Sequence, residues 1–510
     1  LCQLGSVVRV SGARYADDRL YPNLCMDLSG AATNPNNSFM DVYTCNGQPN
    51  QQWILSPYDP TGTPQQPSDP EINESFIRVA TPDPGAPTQR VGYYTSWSTY
   101  ANAFHPKNLD TQGIAGKLTV LQYAFENIDP VNLTCMAANK PSSPDENDPV
   151  GNDGSADAYA DYQKIYGSDI SVDGTADSWA QPLRGNFNQL KQLKAKYPNL
   201  KVLMSIGGWT YSKYFSDVAA TDASRKTFVA SCIDVYIRGN LPQIGDDPAG
   251  GSGAAAGVFD GFDIDWEFPG SANGHYGNHV SPQDGANYTA LLAEFRAELT
   301  ALGGRPYTLT AALPAGPTEI GNLDVPSVAN VLDLGNVMSY DMHGAFEANG
   351  PTNFQAPLYD TPASPAYGTA FTANDAISRY LNNGFPAGKL TMGVPFYGRG
   401  WTGVPDGGQH GRYQSVTGPT AAFPYSQQPG VADWKELKAA GLTNSYYYDQ
   451  ASRSTWIHDG TNFWSIETPD SLADKRQYIK NLGLGGVMIY SLDADDPSTT
   501  LLNAATGMGG

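Results

Sequence analysis

Residues 260–270 read DGFDIDWEFPG, which sets Asp263, Asp265 and Glu267 two positions apart and alternates them with Phe262, Ile264 and Trp266. Alternation is the strand period, so the carboxylates share one face and the large apolar groups share the other. Acidic residues are poor strand formers, and like charges on one face repel. Chemistry rather than stability must account for them. A carboxyl that donates a proton near neutral pH needs a raised pKa, which neighbouring like charges and an apolar surround both supply. Glu267 ends the run beside Trp266 and Phe268, with Asp265 and then Asp263 behind it. Successive same-face groups stand about 6.6 Å apart along a strand, so their side chains can lean together. The pattern reads as an acidic relay ending in a general acid. Asp260 is out of phase and is read as structural.

Metal chemistry fits these residues poorly. A calcium loop starting at Asp263 would need Gly at its sixth position and Glu at its twelfth, where Phe268 and Gly274 stand. His275 and His279 are spaced i, i+4, but NGHYGNH is a loop sequence and offers no third ligand. No metal and no cofactor is expected.

Such a relay has to be held at the end of a strand, and residues from about 90 onward supply the frame. Short apolar runs follow in order: RVGYYTSW, KLTVLQYAF, LKVLMSIGGW, GVFDGFDIDWEF, YTLTAALPAG, LGNVMSYDMHG, KLTMGVPFYGRG and GGVMIYSLD. Amphipathic helical stretches such as GNFNQLKQLKAKYP and ANYTALLAEFRAELTALG separate several of them. Near-continuous apolar strands alternating with helices predict a parallel sheet covered on both faces, and eight such strands close a barrel. The fold class is therefore α/β, a (β/α)8 TIM barrel over residues 90–510. Two interruptions are too long for ordinary connections, roughly 128–180 and 400–466. The second has strand-like pieces of its own and is read as a small inserted α+β subdomain. Both are expected at the barrel mouth, where they deepen it into a groove.

Before the barrel, residues 57–89 are proline-rich and read as a connecting segment, and residues 1–56 as a short β-rich segment. Cys25, Cys45, Gln51 and Trp53 resemble one unit of a ricin-type β-trefoil, whose repeats pair two cysteines and end in Gln-x-Trp. That resemblance implies part of a carbohydrate-binding module. Cys25 and Cys45 are expected to form a local disulfide, and Cys232, within a helical pattern, is read as a buried thiol. A formal charge of -21 on 510 residues disfavours nucleic acid. No apolar run approaches the ~18 residues of a membrane helix. A monomer without a membrane or nucleic-acid partner is expected.

DGFDIDWE matches the D-G-x-D-x-D-x-E signature of family 18 glycoside hydrolases, the chitinases, and the chain resembles that family well beyond it. SIGGW (205–209), MSYD (338–341), YGRGW (397–401) and GGVMIYSLDAD are similar to the third, sixth, seventh and eighth strands of the family, in family order. The insertion before the last strand resembles that of the bacterial-type, deep-clefted enzymes. The resemblance implies a secreted enzyme that hydrolyses chitin and chito-oligosaccharides by substrate-assisted retention, with the 2-acetamido carbonyl as nucleophile. It assigns Glu267 as acid and base, Asp265 to orient the acetamido group and Asp263 to take up the shared proton. Tyr340 would bond the acetamido oxygen and Asp341 support the sugar at the scission point. Trp97, Trp209 and Trp401, at strand ends, are expected as sugar platforms, and Met338 as a further contact. Arg399 is read either as a sugar contact or as an anchor of the insertion. Ser205, Gly207 and Gly208 are read as packing residues. The family has Trp in the eighth strand as the floor under the distorted sugar, where this chain has Tyr490. Two other readings share the motif, an endo-β-N-acetylglucosaminidase and a non-catalytic chitinase-like lectin; the insertion and Glu267 speak against them.

Overall fold

The computed structural model describes residues 24–29, 39–44 and 85–508, apart from 136, 144, 146 and 147. The chain divides into two compact units, Leu1–Ser75 and Phe76–Gly510. In the first, strands Leu24–Ser29 and Phe39–Thr44 pair antiparallel, with Cys25 opposite Tyr43. The expected Cys25–Cys45 disulfide, the Gln51-x-Trp53 ending and the proline-rich stretch up to residue 84 lie outside the described residues.

The second unit is built on eight parallel strands in a closed barrel. These are β1 (Gln89–Thr95), β2 (Val120–Glu126), β3 (Lys201–Gly207), β4 (Gly261–Asp265), β5 (Thr308–Leu313), β6 (Leu334–Val337), β7 (Leu390–Pro395) and β8 (Gly486–Tyr490). Each pairs with its sequence neighbours, and β8 closes the ring by pairing with β1. Strand alternation sorts the side chains. Phe262, Ile264 and Trp266 point outward and are buried under helices, Trp266 stacking on Phe215 with ring centroids 5.3 Å apart. Inside the ring a separate cluster of Val91, Tyr93, Val120, Leu203, Leu334 and Met488 fills the barrel. The helices are fixed by local signals as well as by burial. Helix Pro469–Leu482, for example, begins with Pro at its first position and with the Thr468 hydroxyl accepting from the Ser471 amide.

Two insertions rise from the C-terminal ends of the strands. The one after β2 carries the hairpin Asn139–Lys140/Ala156–Asp157. Its base is fastened by a disulfide between Cys135 and Cys232, 97 residues apart in sequence and 5.0 Å between Cα atoms. The reading of Cys232 as a free buried thiol is thus corrected: its helical position brings it against Cys135, which sequence spacing does not reveal. The insertion after β7 is a six-stranded antiparallel sheet with the helix Trp434–Ala439. It begins earlier than residue 400, because Pro395 ends β7 and Tyr397 already pairs with Asp433 in the new sheet.

That boundary decides the fate of Trp401. Strand Tyr397–Thr402 belongs to the inserted sheet and not to the barrel, and places Trp401 opposite Phe463. Trp401 is fully buried among Phe354, Val404, Trp456 and Phe463. The expectation that it forms a sugar platform is corrected: it is the core of the insertion.

Because the Cys135–Cys232 bridge closes a loop of nearly a hundred residues, its loss should be felt globally. The double variant Cys135→Ser/Cys232→Ser is expected to lose about 2–5 kcal/mol, read as a lower urea midpoint with an intact native fold in dilute buffer.

Candidate active site

β4 carries the acidic run into the barrel mouth, and its neighbour β3 shapes the end of that strand. Gly207 has φ +107, and a Cβ there would lie 2.1 Å from the Asp265 carbonyl oxygen. Only glycine permits this approach, which lets the Gly208 amide donate to that carbonyl at 2.8 Å. The Ser212 hydroxyl also donates to the Asp265 carbonyl, at 3.1 Å, and accepts from the Glu267 amide at 2.9 Å. Asn278 donates to the Glu267 carbonyl at 2.8 Å. The backbone on both sides of Glu267 is therefore pinned before its side chain enters the cleft.

The three carboxylates experience graded surroundings. Asp263 is fully buried inside the ring. Its Oδ2 accepts from Tyr93 and Ser205 at 2.8 Å each, and its Oδ1 from Thr310 at 2.6 Å. Burial raises its pKa, and these hydrogen bonds oppose the rise. Ser205, read from sequence as packing, is thus a direct support of the relay. Asp265 is 4% exposed, and its Oδ1 is buried without a hydrogen-bond partner. Burial, then the charges of Glu267 and Asp263, push its pKa well up. Glu267 opens onto the cleft; burial and then the Asp341 charge push it up to about 8. A carboxyl with that pKa keeps its proton at neutral pH and can donate it.

Around this relay lies a cleft of about 1310 Å³, whose walls include Asp265, Glu267, Met338, Tyr340, Asp341 and Tyr490. Tyr340 is half-buried, and its hydroxyl reaches the Met488 sulfur at 3.8 Å. Asp341 has φ +56, a conformation that costs energy outside glycine. It is clamped there by the Tyr397 hydroxyl and by Arg399 Nε, each 2.8 Å from one carboxylate oxygen. Arg399 lies on the first strand of the insertion, so this ion pair ties the insertion to the end of β6. Arg399 thus anchors the insertion, as one of its two readings has it, and its side chain also lines the cleft. Tyr490 packs on Tyr93 with ring centroids 5.4 Å apart and stacks on Phe125 at 6.4 Å.

Trp97 and Trp209 are 47% and 40% exposed on the cleft wall, where flat apolar rings stand free to take a ligand. Phe346, Phe371 and Tyr425 add exposed rings from other loops. None of these three, nor Tyr397, is apparent from strand-end patterns, because they come from the long loop after β6 and from the insertion. Tyr397 stands inside the YGRGW motif, and that placement was the available signal. Ser142, Ser143 and Asn152 from the first insertion also line the cleft, as do Tyr425 and Asp433 from the second.

Residues 89–495 match the family model of the glycosyl hydrolases family 18. The chain is 36% identical over 426 residues to chitinase 63 of Streptomyces plicatus, covering 83% of this chain and 60% of that protein. It is 36% identical over 411 residues to chitinase C of Streptomyces lividans, covering 80% and 57% respectively. The chain thus spans about three-fifths of these curated relatives. Among solved structures, the catalytic domain of psychrophilic chitinase B from Arthrobacter TAD20 aligns with a TM-score of 0.77 at 43% identity, over 84% of this chain and 95% of that one. A chitinase from Bacillus thuringiensis aligns with a TM-score of 0.66 at 30% identity, over 82% and 70%.

The Asp341 charge disfavours ionisation of Glu267, so its removal should lower the Glu267 pKa from about 8. In Asp341→Asn, an NMR titration of the Glu267 side-chain carboxyl carbon is expected to show the midpoint displaced to lower pH. A midpoint unchanged or raised would mean that burial alone sets it.

Proposed function

The chain belongs to family 18 of the glycosyl hydrolases, and from that premise we propose that it hydrolyses chitin and chito-oligosaccharides by substrate-assisted retaining catalysis. The observation that carries this reading is the Asp265 Oδ1 atom, a buried acceptor without a donor, beside a carboxyl that is protonated at neutral pH. A buried acceptor left unpaired costs about 1–3 kcal/mol, and an acetamido N–H is a donor of the right kind to satisfy it.

In the first step Glu267 gives its proton to the glycosidic oxygen as the bond from that oxygen to C1 breaks. The carbonyl oxygen of the substrate's own acetamido group attacks C1, forming an oxazolinium ion. Asp265 accepts the acetamido N–H and offsets the positive charge that develops. Tyr340, whose hydroxyl finds no stronger protein acceptor than a thioether among the described residues, donates to the acetamido oxygen. Water then adds at C1 as the bond from C1 to the acetamido oxygen breaks, restoring the acetamido group, and the water's proton passes to Glu267. Asp263, held by three hydroxyl donors, shares a proton with Asp265 and takes it when Asp265 turns towards Glu267, which leaves the negative charge on Asp265. Asp341 steadies the sugar at the scission point, and Met338 packs beside the acetamido methyl. Tyr490 forms the floor, and Trp97 and Trp209 extend the platform for a linear polymer.

The size of the cleft, about 1310 Å³, and its exposed rings from several loops favour a polymer over a branched glycan. Every residue invoked comes from one chain, so a monomer suffices. The disulfide fits an oxidising compartment and supports export of the protein. No helix among the described residues is long and apolar enough to cross a membrane.

Three experiments test the chemistry. Glu267→Gln keeps the shape but removes the transferable proton; chitohexaose hydrolysis should fall by about three orders of magnitude or more while oligosaccharide binding persists. In the wild type, kcat/KM should fall as pH rises through about 8, because the active form is the protonated acid. Near wild-type turnover by Glu267→Gln would refute the assignment. Tyr490→Ala should lower kcat more than it raises KM, since a floor under a distorted sugar acts most in the transition state. A loss of about 2–4 kcal/mol in kcat/KM is expected from the lost ring and the void it leaves.

A further inference from the structure

Away from the scission point, one corner of the cleft carries features that the mechanism leaves unused. Glu319 lies on the short helix Pro317–Gly321 that follows β5, is 7% exposed and lines the cleft. Its Oε1 accepts from the Ser271 hydroxyl at 2.9 Å and the Asn273 amide at 2.6 Å. Both donors are neutral, and among the described residues no Lys or Arg pairs with it. A Cβ on Gly316 would come within 2.1 Å of Glu319 Oε2 and 3.9 Å of the Phe371 ring. The absence of a side chain at Gly316 is what lets carboxylate and ring share this corner. Phe371 is 37% exposed on the same wall. An aromatic platform with a carboxylate at its edge is a built arrangement for a sugar ring that carries a positive charge on its rim.

The charge of the surrounding wall points the same way. The cleft is lined by six acidic side chains, Asp265, Glu267, Glu319, Asp341, Asp433 and Asp493, against one basic side chain, Arg399. Burial holds Asp265, Glu267 and Asp433 towards their neutral forms, so the excess of negative charge rests on Glu319, Asp341 and Asp493. Arg399 is already held by Asp341 at 2.8 Å. A cationic polymer is therefore attracted, and its charges are not answered by any unpaired cation of the lining.

We propose that Glu319 and Phe371 form a subsite for a protonated 2-amino-2-deoxy sugar, so that partially deacetylated chitin binds with a glucosamine unit at this corner. The inference rests on the reading of the cleft as a chitin site. Ser271 and Asn273, which hold Glu319, follow closely after Glu267 in the chain. The proposal therefore places this corner on the leaving side of the scissile bond, beyond the oxygen that Glu267 protonates. The sugar over Asp265 must keep its acetyl group, because that carbonyl is the nucleophile. A unit on the leaving side has no such requirement. A carboxylate also accepts from neutral sugar hydroxyls, but that contact gives no preference between a free and an acetylated amine.

Hydrolysis of randomly acetylated chitosan at mildly acidic pH, with the product ends sequenced by mass spectrometry, distinguishes these cases. Within the first two units of the new non-reducing ends, the odds of glucosamine over N-acetylglucosamine should exceed those of the polymer by about threefold, the effect of a partly screened ion pair. High salt should shrink that excess in the wild-type protein, and Glu319→Gln should abolish it. Ends that mirror the polymer in the wild type, or an excess undiminished in Glu319→Gln or in high salt, would overturn the subsite. Failure of the wild-type protein to cleave chitohexaose would instead overturn the reading beneath it, and the subsite with it.

Discussion

Burying negative charge inside a closed barrel is the constraint around which the rest of this structure is arranged. An isolated ionised carboxylate in an apolar interior is too costly to keep, so it must be hydrogen-bonded, paired or protonated. The acidic run of β4 uses two of these solutions in series. Asp263, deepest, receives hydroxyls from β1, β3 and β5. Glu267, at the mouth, lacks that support and keeps its proton instead, while burial and then the charges of Glu267 and Asp263 push the Asp265 pKa well up between them. Hydrogen-bond support thus falls off along one strand face, and the carboxyl at its open end, Glu267, is the one held protonated at the cleft.

The support for Asp263 depends on barrel closure. Tyr93, Ser205 and Thr310 sit on three different strands, and parallel register brings Ser205 and Thr310 directly opposite Asp263 on its two sides. An open sheet would leave an edge and admit water, which would solvate the carboxylates and return them towards ordinary pKa values. The outward face has the complementary task. Phe262, Ile264 and Trp266 pack under the helices, so β4 cannot slip by one residue without burying charge among them and turning the aromatic groups inward.

The insertions act on the same relay from above. Asp341, strained at the end of β6, is fixed by Tyr397 and Arg399 from the second insertion, and its charge helps to keep Glu267 protonated. The inserted sheet has its own core around Trp401, Trp456 and Phe463, which makes it a rigid platform for that clamp. The disulfide at Cys135 holds the root of the first insertion in the same manner. Both insertions thus supply fixed walls to the cleft, and those walls carry acidic and aromatic groups.

Much of this was legible in the residues alone. A period of two with acids on one phase and aromatics on the other specifies a strand with a polar inside and an apolar outside, whatever the surroundings. The eight apolar runs and their helical spacers carry the barrel in the same local way, through hydrophobic periodicity. Tertiary structure decided whatever depends on contacts between segments distant in the chain. Trp401 reads as a strand-end platform, but only the pairing of Tyr397–Thr402 with Asn462–Ile466 turns it inward. Cys232 reads as a lone thiol until its helix meets the loop after β2. Ser205 reads as packing until parallel register sets it against Asp263. Glu319 and Phe371 are about fifty residues apart and carry no motif, and they become one corner only because the loops after β5 and β6 converge at the mouth. Local periodicity is written in neighbouring residues; the partners of a buried charge or an exposed ring are set by closure of the barrel and by where the loops return.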